Sequence, residues 1–228
     1  ELEMPGYRPS AIDSLPQGTG RDLDTLRFRS LILHRTHPVY VYTPPGASGL
    51  KDLPVIYVTD GGEYLTLAKM DAILDALILS KQIRPVVAVF VDPRTDPHDP
   101  SSTQRMTDYS ASDSYLDFLE RELAPLIEKK YPVSANPDHR LILGASMGGL
   151  ISTYAVLRRG GFVRNCAAQS PAYLEADSAV IRLLKGTMHV DGEFYIQTGT
   201  IHDARDEACF VSRLLEERGA RVSVDEFH

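Results

Sequence analysis

The chain has 228 residues, 43% hydrophobic and 24% charged, a size and balance that one α/β domain fills without a second core. A formal net charge of -7 leaves no general basic footprint, which argues against nucleic acid or an anionic membrane as the main partner. No apolar run reaches the length of a membrane span, and Glu1-Leu2-Glu3-Met4-Pro5-Gly6 has neither the charged nor the apolar region of an export signal. Compartment and oligomeric state stay open.

Glu1 to Leu23 is rich in Pro, Gly, Ser and Asp without a period, which predicts an irregular arm over residues 1–25 and a single domain over 26–228. Two strands follow, Leu26 to Leu33 and Pro38 to Tyr42. The polar run His34-Arg35-Thr36-His37 joins them as a hairpin turn. Leu53 to Thr59 reads as a buried strand ending at Asp60-Gly61-Gly62. Tyr64 to Leu79 reads as a helix, with Leu67, Met70, Leu74 and Leu77 three and four apart. After the apolar strand Pro85 to Val91, the segment Asp92 to Tyr109 is polar and carries Pro93, Pro97 and Pro100. A loop of that length shapes a substrate mouth. Arg105 within it is a candidate substrate contact, the competing reading being a surface pair with Asp108. Ser112 caps an amphipathic helix reaching Lys130, with Leu116, Leu119, Leu123, Leu126 and Ile127 on one stripe.

The organising stretch is Leu141 to Leu150, an apolar strand followed by Gly144-Ala145-Ser146-Met147-Gly148-Gly149 and an apolar helix closed by Gly160-Gly161. G-x-S-x-G between a strand and a helix is a nucleophile elbow, and the glycines are there because a side chain would collide with the neighbouring elements. Ser146 is the candidate nucleophile, and it needs a histidine to take its proton and a carboxylate to orient that histidine. Acyl transfer also needs two oxyanion donors, one after the nucleophile and one in the loop after an earlier strand. Met147 and Gly62 fit, with Glu63 as the alternative to Gly62.

Val163 to Gln169 is the next strand and leads into Ser170-Pro171-Ala172-Tyr173, where Tyr173 either lines the pocket or packs. The strand Glu193 to Thr198 opens into Gly199-Thr200-Ile201-His202-Asp203. In the order serine, acid, histidine, Asp203 fits the acid, or else caps the helix Ala204 to Arg218. Asp206 and Glu207 fall inside that helix, where they favour its positive end. The strand Arg221 to Phe227 alternates cleanly and is followed by His228. His202 and His228 are the downstream candidates for the base, each poorly placed: one is the acid's immediate neighbour, the other follows the last strand with nothing to hold its ring. Cys166 and Cys209 lie far apart without a C-x-x-C, which suggests two buried thiols rather than a metal or redox site, a disulfide being the alternative.

Together these residues carry a family resemblance. Gly144-Ala145-Ser146-Met147-Gly148-Gly149, Asp60-Gly61-Gly62, Arg105 with Asp108, and Gly199-Thr200-Ile201-His202-Asp203 resemble the putative-esterase family typified by enterochelin esterase and esterase D. The resemblance covers about Leu26 to His228. It implies an α/β-hydrolase fold: a mostly parallel central sheet with an N-terminal antiparallel hairpin and helices on both faces. It also implies serine-dependent ester hydrolysis without a metal or other cofactor. By position it makes Ser146 the nucleophile, Asp203 the acid, Gly62 and Met147 the oxyanion donors, and Arg105 an active-site arginine that meets an anionic substrate. The family's histidine lies in a Gly-His pair beyond the final strand, so the expectation is a base past His228, the domain lacking its C-terminal loop and helix. The preferred small-molecule substrate is a siderophore trilactone, ferric or iron-free. Alternatives are feruloyl, acetyl or S-formylglutathione-like esters, acyl transfer, or a non-catalytic binding protein on the same fold.

Overall fold

The computed structural model describes residues 23–201 and 203–227, so most of the expected arm, His202 and His228 lie outside the described residues. In chain order the elements are β1 (Leu23–Ser30), β2 (Arg35–Tyr42), β3 (Val55–Val58), α1 (Gly61–Thr66), α2 (Met70–Leu79), β4 (Val87–Val91) and α3 (Arg105–Tyr109). Next come α4 (Asp113–Phe118), which passes through a π turn into α5 (Ala124–Lys130), then β5 (Arg140–Ala145), α6 (Met147–Arg158) and β6 (Asn165–Gln169). The chain closes with α7 (Glu175–Gly186), β7 (Glu193–Gly199), α8 (Arg205–Glu216) and β8 (Arg221–Phe227).

The strands make one sheet in the order β1-β2-β4-β3-β5-β6-β7-β8. The hairpin β1-β2 and its pairing with β4 are antiparallel; every pairing from β4 across to β8 is parallel. Parallel neighbours need crossovers, and the helices supply them on both faces, which is why β4 is apolar and buried at every position. On one face Val55, Tyr57, Val89, Ile142, Cys166 and Ile196 pack against Tyr109, Leu116, Leu150, Val180 and Val211 from α3, α4, α6, α7 and α8. On the other, Tyr42, Val58, Ala88 and Phe90 pack with Leu74 of α2. The expected architecture is present.

Three boundaries differ from the sequence reading. The hairpin pairs Ser30 with Arg35, so the turn is Leu31 to His34 rather than His34 to His37. Its acceptors come from far along the chain: the Glu122 carboxylate takes the Ser30 hydroxyl at 2.5 Å and the N–H groups of Leu31 and Ile32 at 2.9 and 3.2 Å. The helix expected over Tyr64 to Leu79 is two helices, because Lys69 adopts φ 52° and breaks it. Leu67, expected in the core, falls at that break and is 78% exposed. The Asp92 to Tyr109 segment ends as helix α3, with Asp108 and Tyr109 buried. Of the two cysteines, Cys166 is buried and Cys209 half-buried, and both are free.

Candidate active site

The carboxyl ends of β3, β5, β6 and β7 bring the site together, since parallel strands deliver their following loops to one edge. Ser146 stands between β5 and α6 at φ 56° and ψ -116°, a strained conformation for any residue with a side chain. Its N–H donates to Gln169 O at 2.9 Å, and its carbonyl accepts from Leu150 N at 3.0 Å and Ala172 N at 3.1 Å. The turn is held by backbone, and the exposed side chain has no hydrogen-bond partner among the described residues.

The flanking glycines have a specific steric cause. A Cβ on Gly144 would stand 2.0 Å from Thr59 Oγ1 and 2.7 Å from the backbone carbon of Gly148; a Cβ on Gly148 would stand 2.4 Å from the same hydroxyl. Thr59 Oγ1 donates to Leu143 O at 3.2 Å, so the end of β3 is wedged into the elbow.

Asp60 follows Thr59 in the left-handed region, at φ 52° and ψ 38°, and turns the chain into α1. Gly61 and Gly62 open that helix, where Cβ atoms would meet Phe90 backbone at 2.5 Å and Asp92 Oδ2 at 2.2 Å. The N–H groups of Gly62 and Met147 each sit in the first turn of a helix, where the ladder has no acceptor to offer, and neither has a partner among the described residues.

Asp203 lies in the loop after β7, directly before α8. Its Oδ2 accepts from Ser170 Oγ at 2.6 Å, Gly199 N at 2.5 Å and Thr198 Oγ1 at 3.4 Å, and its Oδ1 accepts from Ala204 N at 2.8 Å. Burial alone would raise its pKa, but the Ser170 hydroxyl, the two N–H groups and the Thr198 hydroxyl together hold it below the usual carboxylate range. Asp206 and Glu207 fall in the first turn of α8, as expected. Ser170, which the sequence reading passed over, follows β6 at φ 40° and links the loop of Asp203 to the strand beside the Ser146 turn. Ser170→Ala should lower the turnover of any ester about 10-fold while KM holds, since a hydrogen bond to a charged group is lost. Steady-state kinetics check it, and an unchanged kcat would mean that the Ser170 hydroxyl plays no part in turnover.

Arg105 is engaged by protein groups. Its Nε donates to Asp60 Oδ1 at 2.9 Å and Oδ2 at 3.1 Å, and its Nη2 donates to Ala145 O at 3.1 Å. The expected surface pair with Asp108 is not formed: Asp108 is buried and bonds Arg35. Arg105, Asp60, Glu63, Asp92, Arg94 and Thr103 line a cavity of about 270 Å³. Tyr173 is fully buried with its hydroxyl 2.9 Å from Thr153 Oγ1, so it packs rather than lining a pocket. None of the five described histidines, His34, His37, His98, His139 and His189, hydrogen-bonds Ser146 or Asp203.

Residues 30–210 match the family model described as Putative esterase. Among curated proteins, YbbA of Bacillus subtilis is 28% identical over 147 residues, 61% of this chain and 58% of that protein. The iron(III) enterobactin esterase of Escherichia coli is 24% identical over 156 residues, 68% of this chain and 37% of that enzyme. Among solved structures, the enterobactin esterase FES of Shigella flexneri, in the presence of enterobactin, superposes with a TM-score of 0.83. That match is at 19% identity, over 98% of this chain and 58% of the other. At that identity the likeness is one of fold. The chain thus spans less than two thirds of the length of these proteins.

Proposed function

The chain belongs to the Putative esterase family, and from that premise we propose that it hydrolyses carboxylic esters through an acyl-enzyme on Ser146. The observation that carries this is the corner itself: an exposed hydroxyl on a strained turn, beside the unpaired N–H of Met147 and at the same sheet edge as that of Gly62. Ser146 Oγ attacks the ester carbonyl carbon as its proton passes to a histidine. The carbonyl oxygen becomes an oxyanion received by the Met147 and Gly62 N–H groups. Collapse expels the alcohol, which takes the proton back from the histidine, and water then clears the acyl group by the same route. Asp203, already ionised and held by four donors, orients the histidine. That histidine belongs to the part of the protein outside the described residues.

The substrate we propose is a siderophore trilactone of the enterobactin type. The support is the likeness to enterobactin esterases in sequence and fold, together with Arg105, whose Nη1 is left without a protein partner among the described residues. A fluorophosphonate probe should label the full-length protein at Ser146 and fail to label Ser146→Ala. Absence of labelling in the wild type overturns the serine mechanism. Labelling together with hydrolysis of a p-nitrophenyl ester, but no cleavage of enterobactin with or without iron, overturns the substrate alone.

A further inference from the structure

Both segments that carry the proposed oxyanion donors are tied to one guanidinium. Asp60 lies two residues before Gly62, and Ala145 lies two residues before Met147. Arg105 reaches across between them: Nε to the Asp60 carboxylate at 2.9 and 3.1 Å, Nη2 to the Ala145 carbonyl at 3.1 Å. The loop after β3 and the end of β5 are joined here by a side chain from a third segment, helix α3.

On its Asp60 side this bridge is buried and hydrogen-bonded. Asp60 is 5% exposed, and its N–H donates to Tyr109 Oη at 2.9 Å. Tyr109 is fully buried, and its ring lies under the Arg105 guanidinium, 5.5 Å from centroid to Cζ. The Asp60 carbonyl accepts from Glu63 N at 2.9 Å and Tyr64 N at 3.1 Å, so the residue that receives the arginine also starts helix α1. Burial raises the Asp60 pKa and the Arg105 hydrogen bond opposes it, the balance of a carboxylate that depends on its partner.

We propose that Asp60 and Arg105 are positioning residues, a clamp that sets the spacing between the N–H of Gly62 and the N–H of Met147. An oxyanion hole works only when both donors lie about 2.7–3.1 Å from the developing charge, so their mutual distance is fixed within a fraction of an ångström. Two covalent segments that diverge from neighbouring strands need a cross-link to keep that distance. Lysine at 105 has the charge but not the fork: one ammonium cannot serve the Asp60 carboxylate and the Ala145 carbonyl in the geometry of Nε and Nη2. The inference rests on Ser146 being the nucleophile, and it assigns the Nε and Nη2 bonds of Arg105 to the protein rather than to the substrate.

The test is a kinetic split in the full-length protein, with a neutral and an anionic p-nitrophenyl ester. Arg105→Lys should lose about 100-fold in kcat on both esters with KM little changed, since a misplaced oxyanion donor costs about that much. Tyr109→Phe, which removes only the hydroxyl that receives the Asp60 N–H, should lose about 10-fold in kcat, again on both esters. Asp60→Asn, which keeps an oxygen for Arg105 Nε, should retain more activity than Asp60→Ala. A rise in KM confined to the anionic ester, with kcat kept, overturns the clamp and makes Arg105 a substrate contact. Wild-type kcat in Tyr109→Phe and Arg105→Lys also overturns it, and if Arg105→Lys does not fold, Tyr109→Phe decides. Ser146→Ala assayed alongside separates the two readings: residual wild-type turnover there means the serine mechanism has failed, whereas a dead Ser146→Ala beside an unimpaired Arg105→Lys means only the clamp has.

Discussion

Ser146→Gly should raise the stability of the protein and abolish the proposed ester hydrolysis in the same step. At φ 56° and ψ -116° a side-chain-bearing residue carries strain of about 1–3 kcal/mol, and glycine does not. Glycine gives part of that back, about 0.5–1 kcal/mol, through the greater freedom of the unfolded chain. The net expectation is about 1 kcal/mol of added stability, or a rise in Tm of about 2–4 °C for a chain of this size. Ser146→Ala keeps the Cβ and therefore the strain, so its Tm should stay where it is. Both variants should lose about 10⁶-fold in kcat, the effect of deleting a serine that works as a unit with its base and acid. Thermal denaturation and ester hydrolysis on the same preparations check the pair. Activity retained in either variant would place the nucleophile elsewhere, and a destabilised Ser146→Gly would mean that the serine hydroxyl has a structural partner. The strain sits on the proposed nucleophile because only a sharp reversal between β5 and α6 leaves the hydroxyl clear of both.

The elbow was legible because its signals are local: Leu141 to Leu143 for the strand, the glycines for the turn, the apolar run from Leu150 for the helix. The place of Asp203 was legible for a different reason: the residue proposed as the acid was sought after the second strand beyond Ser146, and β7 is that strand. Most of the misread features depend on contacts between distant parts of the chain. The hairpin turn moved to Leu31 to His34 because Glu122, on the π turn after α4, supplies acceptors to Ser30, Leu31 and Ile32. A polar run was the better local candidate, and the distant carboxylate outweighed it. The periodicity from Leu67 to Leu77 continues across the break at Lys69, and so conceals it. Arg105 and Asp108 lie three residues apart and invite a local pair, yet each is bound to a different element, Asp60 and Arg35. Ser170 gave no signal at all, because its partner Asp203 is 33 residues away.

Gly148→Ala should cost about 2–3 kcal/mol, and Thr59→Ala in the same chain should recover much of it. The added Cβ would stand 2.4 Å from Thr59 Oγ1, inside any allowed contact, while Thr59 Cβ is at an ordinary 3.5 Å. Removing the hydroxyl removes the collision. On its own, Thr59→Ala should cost about 1 kcal/mol, for its hydrogen bond to Leu143 O, so the double variant should be more stable than the two costs added together. Gly144→Ala provides the contrast. Its Cβ would meet Thr59 Oγ1 at 2.0 Å but also the Gly148 carbonyl carbon and oxygen, each at 2.7 Å, and backbone cannot be trimmed by substitution. Thr59→Ala should therefore fail to rescue Gly144→Ala. Urea denaturation of the three single and two double variants measures both couplings. Rescue at neither would mean that the elbow is not held by the Thr59 wedge, and rescue at both that the Gly148 backbone gives way to a methyl group on residue 144. Rescue at Gly148 alone would place the end of β3 as the part that fixes the serine's corner. Asp60, the next residue, carries the proposed clamp, and its Oδ2 would be 3.3 Å from the new methyl group. The rescued double variant should for that reason remain slower than wild type even where its stability returns, because the methyl presses on the carboxylate that Arg105 holds.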